Sequence, residues 1–322
     1  LPLDSVPWFV GGGAQHSPEV ARLLAYSATS GSEGVVRSPD LKVVATGTPS
    51  AQVQVRVGAG IILNRAVGGD LQSYIARNPT ATTVSVAATS SSGGRSDLIV
   101  LQVEDPFMSG EPWQDPADVT VGPYVFVRVI PNVPNTTTRL QDVAGYAGRS
   151  AITLARIDIP ASTATITNAM IKDMRKMARR RSERQLLTGD ADAGFALTSS
   201  TFTSWPAASS AFSIDIPEWA TSMTAKLELL GGQTAAQVSG ELRLVVNNGD
   251  YIFGTYAYNY SAQTNQARQP VIVAGDLAIP SALQGTTATL RMSGRRSGGS
   301  GNLFTVDSTY YLADVQFTEK PI

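Results

Sequence analysis

Apolar and polar positions alternate in short runs along most of this 322-residue chain. In the first half the runs are Leu41–Ala45, Val53–Val57, Thr83–Ala87, Asp97–Val103, Tyr124–Ile130 and Ala151–Ile159. Clusters of Gly, Pro, Asn and Ser (TGTPS, SSSGGR, NVPNTT) separate them, the pattern of strands joined by turns in a barrel or sandwich. Ser17-Pro18-Glu19 breaks the pattern. It sets an N-cap, a proline at the first helical position and an early acid ahead of Val20, Leu23 and Leu24, which predicts a short helix. Glu104 to Gly122, rich in Pro and Gly and in acids, predicts an exposed loop.

The segment ITNAMIKDMRKMARRRSERQLL reads as a second and longer helix. Thr167 or Asn168 can cap it, with Asp173 early and the arginines late, as a helix dipole favours. Met170, Met174 and Met177 recur at i, i+4 and i+7, with Ile171 and Ala178 beside them, giving an apolar stripe of about two heptads. Beyond it strands are expected at Phe212–Ile216, Thr224–Leu230, Glu241–Val246, Tyr251–Tyr258, Pro270–Ala274, Thr286–Met292, Leu303–Val306 and Tyr311–Phe317. Asn247-Asn248-Gly249-Asp250 is a strong hairpin turn. The expected fold is therefore mainly β: an N-terminal barrel or sandwich domain (1–166), a helical linker (167–187) and a C-terminal jelly-roll-like sandwich (188–322). No strand–helix alternation points to a parallel α/β enzyme.

Charge supports the same division. The three segments carry −2, +5 and −4, so a basic stretch joins two mildly acidic blocks. Charged residues make up only 16% of the chain, against about 25% in an average soluble protein, so uncharged polar groups must cover the surface. Cysteine is absent and histidine occurs once, which excludes disulfide frameworks, thiolate zinc sites, thiol nucleophiles and histidine-rich metal centres. No apolar run approaches the roughly 20 residues of a membrane-spanning helix, and no membrane insertion is expected. The opening residues show no basic-then-apolar secretory pattern.

Candidate chemistry is sparse. Gly11–Gly13 lacks the flanking pattern of a phosphate loop and reads as a turn. His16 has no accompanying serine motif and reads as a structural or capping residue. Glu104, Asp105, Glu111, Asp115 and Asp118 are candidates for a glycosidase pair or an oxygen-ligated cation, against a solvated loop. The Arg175–Arg184 run has no aromatic stacking platform, so a solvated helix face or an ionic contact with a neighbouring subunit is expected, not a nucleic-acid partner. Tyr256, Tyr258 and Tyr260 project from one face of a strand. With Asn259 and Asn265 nearby they could stack sugar rings and reach hydroxyls, or simply pack in a sandwich. Arg295–Gly301 reads as a mobile loop, with an anionic-glycan contact as the sharper alternative. No cofactor and no metal site is expected.

VPWFVGGGAQHSPEVARLLAYSATSGSEGVV, GRSDLIVLQVEDP and AITLARIDIPASTATITNAMIKDMR together resemble the N-terminal module of minor tail or baseplate proteins of long-tailed actinobacterial phages. The resemblance covers about residues 1–180. FSIDIPEWATSMTAKLELLGG and YLADVQFTEK resemble, more loosely, the β-sandwich domains found after that module. The resemblance implies a non-enzymatic virion protein at the tail tip. Its N-terminal domain would dock on other tail proteins, and its C-terminal domain would recognise the host envelope, a cell-surface glycan in particular. It also implies threefold assembly, and burying Met170, Ile171, Met174, Met177 and Ala178 between three helices would suit a homotrimer. A purely architectural baseplate component and a cell-wall glycan hydrolase are the alternatives.

Overall fold

A computed structural model describes residues 10–111, 118–191, 194–261, 268–307 and 309–322. The chain forms two compact units, Leu1–Arg179 with Pro321–Ile322, and Arg180–Lys320. Strands dominate both, as the alternating pattern requires.

The N-terminal unit opens with α1 (Pro18–Thr29). Ser17 caps it, its hydroxyl accepting from the Val20 N–H at 3.3 Å, and Ser30 closes it in the left-handed region. Ten strands follow: β1 (Gly34–Val35), β2 (Val43–Ala45), β3 (Gln52–Val55), β4 (Gly58–Leu63), β5 (Ser73–Asn78), β6 (Thr82–Ser85), β7 (Arg95–Val103), β8 (Val125–Val133), β9 (Ala151–Ile159) and β10 (Ile171–Asp173). They build antiparallel sheets in the orders β1-β4-β5, β2-β3-β6 and β10-β9-β7-β8. β7 explains its own unbroken apolar run. Ile99, Leu101 and Val103 face one core with Val35, Ile62 and Ile157, while Leu98 and Val100 face a second with Ile130 and Leu140. A strand buried on both faces loses the alternation that marks a half-exposed one.

The C-terminal unit contains β11 (Ser182–Ala191), β12 (Ala196–Leu197), β13 (Thr203–Ser204), β14 (Phe212–Asp215), β15 (Ser222–Thr234), β16 (Val238–Val246), β17 (Tyr251–Tyr260), β18 (Gln269–Ala278), β19 (Thr287–Gly299), β20 (Leu303–Phe304) and β21 (Thr309–Thr318). Its eight principal strands pair as β11-β21-β15-β18 and β14-β19-β16-β17. The chain crosses between sheets at most connections, which is jelly-roll topology. One core lies between the sheets, with Leu227, Leu242, Leu290, Val315 and Phe317 all fully buried. The Asn247 turn forms the β16–β17 hairpin as expected, with Asn247 at φ +49°. Edge strands β17 and β18 meet at Gly254 and Gly275, where a Cβ on Gly275 would lie 2.5 Å from the Gly254 Cα. Gly254 also sits at φ +59° beside a bulge between Leu242 and Leu244.

Tyr311 joins the two sheets in another way. Between the β13 and β14 pairings on β19, the Met292 N–H donates to the Tyr311 hydroxyl at 3.2 Å, from a strand of the opposite sheet. The Tyr311 ring stacks on Phe212, centroids 4.9 Å apart.

Three expectations are corrected. There is no helix at 167–187: Asn168–Met170 is one 3-10 turn, β10 pairs with β9, and β11 begins at Ser182. The helical period at Met170, Ile171, Met174, Met177 and Ala178 is real, but long-range backbone bonds take the segment instead. Met174 N–H donates to Leu154 O, Val35 N–H to Lys176 O and Ala178 N–H to Val35 O. Met177 and Ala178 are buried, and Met170 and Ile171 pack on the unit's own core. Tertiary contacts override local propensity here, and the stripe is not available as a trimer seam. Second, Arg295–Gly299 continues β19 and is not a loop. Third, Glu104 is only 3% exposed, so it does not belong to a solvated loop.

Candidate functional site

The outward face of the β14-β19-β16-β17 sheet carries the most unusual chemistry in the molecule. Along β16, Leu242 and Leu244 point into the core, so Glu241 and Arg243 point out. Across from them on β19, Ser293 pairs with Arg243 and Arg295 with Glu241, while Arg291 pairs with Val245. Phe202, one residue before β13, lays its ring against this face. The Arg243 guanidinium carbon lies 3.7 Å from the ring centroid and that of Arg295 5.0 Å. Both fall within cation–π range, which holds guanidinium groups flat.

One of these three arginines has a carboxylate partner. Arg295 is bonded to Glu241 at 2.9 Å. Among the described residues, no carboxylate pairs with Arg243 or Arg291, and the Nε of each is buried without a hydrogen-bond partner. Burial, and then the neighbouring Arg295 charge, push the Arg243 guanidinium below its ordinary value. The face is thus a preorganised cationic surface with unused planar donors.

The tyrosines predicted as a recognition surface lie on the other side of the same sheet. Tyr256, Tyr258 and Tyr260 pair with Leu242, Gly240 and Val238, all directed inward. Tyr258 is 2% exposed, belongs to the core and stacks on Tyr260 at 5.7 Å. Its hydroxyl donates to Arg295 O at 3.3 Å. Burial pushes the hydroxyls of Tyr258 and Tyr260 up to about 12. Tyr258 is therefore no sugar platform, a correction that follows from its register with Gly240, where a Cβ would collide with the ring. Tyr256 remains exposed at the sheet edge. Asn259 is exposed and pairs with Ser239, so it belongs to the outward face with Glu241 and Arg243, apart from the tyrosines. Asn265 lies outside the described residues.

In the N-terminal unit the other candidates resolve into structural contacts. Glu104 pairs with Arg128 at 2.9 Å, and Asp105 accepts from the Tyr74 hydroxyl at 2.9 Å. Glu111 accepts from the Ser150 hydroxyl, and burial raises its carboxyl above the ordinary value. Asp118 bonds to Thr120, which lowers it, and Asp115 lies outside the described residues. His16 Nε2 accepts from the Val10 N–H at 3.1 Å, and Gly12 and Gly13 turn the chain at positive φ. The arginine run is not a solvated helix face. Arg175 is fully buried, Arg181 pairs with Glu319 at 2.7 Å and Arg184 with Asp314 at 2.7 Å, each within its own unit. A cavity of about 250 Å³ is lined by Glu33, Arg65, Arg139, Arg175 and Lys176, where Glu33 already holds Arg65 in a two-pronged pair at 2.7 and 2.8 Å. No three of His, Asp and Glu gather as a metal site among the described residues, and no helix is long and apolar enough to cross a membrane.

Sequence reading singled out Arg295, within a stretch read as a loop, and missed its neighbours Phe202, Arg243 and Arg291. The signal for the face was present: in two runs that otherwise read as strands, Glu241 with Arg243 (two apart) and Arg291 with Arg295 (four apart) are separated by even spacings and so face one side.

No family model and no curated protein matches this chain. Among solved structures it is similar to the VP2 subviral particle of infectious bursal disease virus, at 13% identity over 94% of this chain and 82% of that one, with a TM-score of 0.25. The T13 particle of the same virus aligns at 14% identity over 94% of this chain and 76% of that one, TM-score 0.26. The insecticidal delta-endotoxin Cry8Ea1 of Bacillus thuringiensis aligns at 10% identity over 89% and 54%, TM-score 0.21. Scores at this level carry no functional argument, which rests instead on the residues and topology above.

Proposed function

We propose that this chain is a structural, non-enzymatic protein of a phage tail tip. Its N-terminal unit docks on other tail or baseplate proteins, and its C-terminal jelly roll recognises the host envelope through a cell-wall glycan. The observation that carries the reading is the strand order β11-β21-β15-β18 against β14-β19-β16-β17. Jelly rolls serve viral and lectin domains, a fold-level analogy that acquires content here from the sequence resemblance. The segments carrying that resemblance, though far apart in sequence, meet in one unit: β7 pairs with β9, β9 with β10, and Val35 shares their core.

The test is binding of the labelled full-length chain to intact actinobacterial cells, with solubilised wall glycan as competitor. Decoration that the glycan displaces supports the reading, and no binding across a broad strain panel sinks it. Release of reducing sugar would instead favour the hydrolase. Threefold assembly, implied by the resemblance, would have to use a surface other than the 170–178 stripe. Light scattering reads this directly, as a mass near three times 33.9 kDa.

A further inference from the structure

We propose that the outward face at Phe202, Arg243, Arg291 and Arg295 binds an oxyanion, and that the glycan recognised by the C-terminal unit is therefore an anionic one, bearing phosphodiester or carboxylate groups. The inference rests on the envelope-recognition reading for its biological setting, but the site stands on geometry of its own. Guanidinium groups present planar donor forks matched to carboxylate and phosphate oxygens. Here two of three have no acceptor among the described residues, and their Nε atoms are buried without partners. A buried donor without an acceptor is costly, as is crowding like charges. An incoming oxyanion offsets the crowded charge and can accept from the parts of these half-buried guanidinium groups that remain open to solvent.

The aromatic ring belongs to the device. The Arg243 guanidinium carbon lies over the Phe202 ring at 3.7 Å, so the group is held in place before a ligand arrives, and less side-chain freedom is lost on binding. Glu241 tunes the site. It occupies Arg295 at 2.9 Å, competing with the ligand for one of the three cations. Asn259 is exposed on the same outward face, where an amide is suited to sugar hydroxyls. Arg181 and Arg184, also exposed in this unit, lack this combination, since each is held by a carboxylate.

The experiment titrates the full-length chain with four soluble polymers: poly(glycerol phosphate), polygalacturonate, neutral dextran and single-stranded DNA. Binding to the first or second above dextran supports the proposal, and which of the two binds identifies the oxyanion. Arg243→Gln and Arg291→Gln should each weaken that binding by about tenfold or more, as expected for a lost hydrogen bond to a charged group. Arg243→Lys, which keeps the charge and loses the fork, should fall between. Glu241→Gln should strengthen binding by freeing Arg295, a gain that a merely structural role would not produce. Equal binding of dextran, or unchanged affinity in the arginine variants at unchanged thermal stability, would each overturn the proposal, and equal binding of DNA would overturn its assignment to a glycan. The same variants applied to intact cells separate the two readings. If the wild type and Arg243→Gln decorate cells alike, envelope recognition stands and this site falls. If the polymers bind through these arginines while cells are ignored, the site stands and the envelope reading falls.

Discussion

Replacing Arg175 with alanine tests the strand-and-turn conformation of the basic segment most directly. The side chain is fully buried. Its guanidinium donates to both Asp173 oxygens at 2.9 and 2.7 Å, to the carbonyls of Ser38 and Asp40 at 3.0 and 2.7 Å, and to that of Ile322 at 2.8 Å. Truncation removes every one of these donors and leaves three carbonyls and a carboxylate behind. Breaking a buried pair from one side costs about 3–5 kcal/mol. Asp173 is 40% exposed and can rehydrate, which places the expected loss near the lower end, about 3 kcal/mol. Arg180, exposed in the same run, is the control, and its alanine variant should stay within about 0.5 kcal/mol. The readout is native-state hydrogen exchange of peptides covering β7 and β9, which report on the N-terminal unit. A loss of that size should speed their slowest amides on the order of a hundredfold. If Arg175→Ala and Arg180→Ala behave alike, Arg175 is solvated and the account of this segment fails.

Two further outcomes follow from the same physics. Tyr311→Phe strands the buried Met292 N–H and should cost about 1–3 kcal/mol in urea unfolding; an unchanged midpoint would mean that the N–H finds another acceptor. Glu111 is raised by burial from an ordinary value of 4.5, so the folded state holds its proton more tightly than the unfolded one. Its contribution to stability is therefore present at low pH and is lost as pH climbs from about 4.5 through the raised folded value. Glu111→Gln, which mimics the neutral acid, should gain in melting temperature over the wild type as pH rises from 4 to 7, and a pH-independent difference would refute this.

How much of the fold was legible depended on whether local and long-range demands agreed. At Ser17-Pro18-Glu19 the cap, the proline and the amphipathic spacing all favour one outcome, and α1 forms there. β7 and β9 were visible because β-branched residues filled an uninterrupted run between turn clusters. β4 and β5 were not, since GAGIIL has glycines at two of its first three positions and SYIARN puts the polar Ser73 and Asn78 at buried positions. The segment around Met174 misled because Met, Lys and Arg are good helix formers, and nothing local announces that Val35 and Leu154, more than 15 residues away, will take its backbone groups. The tyrosine strand shows the same limit. Its alternation correctly put three rings on one face, but which face is inward is decided by pairing with Val238, Gly240 and Leu242. The cationic face was hidden for a related reason: it is assembled from Phe202, β16 and β19, which meet only in the folded sheet.

The pairing of β11 with β21 has a consequence beyond stability. The two strands run antiparallel over their full length, Ser182 opposite Thr318 and Ala191 opposite Thr309. The points where the chain enters and leaves the C-terminal unit, Arg180 and Lys320, are therefore neighbours at one end of a single ladder. A unit whose two ends emerge side by side can be cut out and replaced through two adjacent junctions, because any substitute with similarly spaced ends bridges the same gap. The jelly roll is in that sense a cassette. A chimera that carries a foreign domain with adjacent termini between residue 179 and residues 321–322 would keep the Arg175–Ile322 bond and leave the other unit's own core intact.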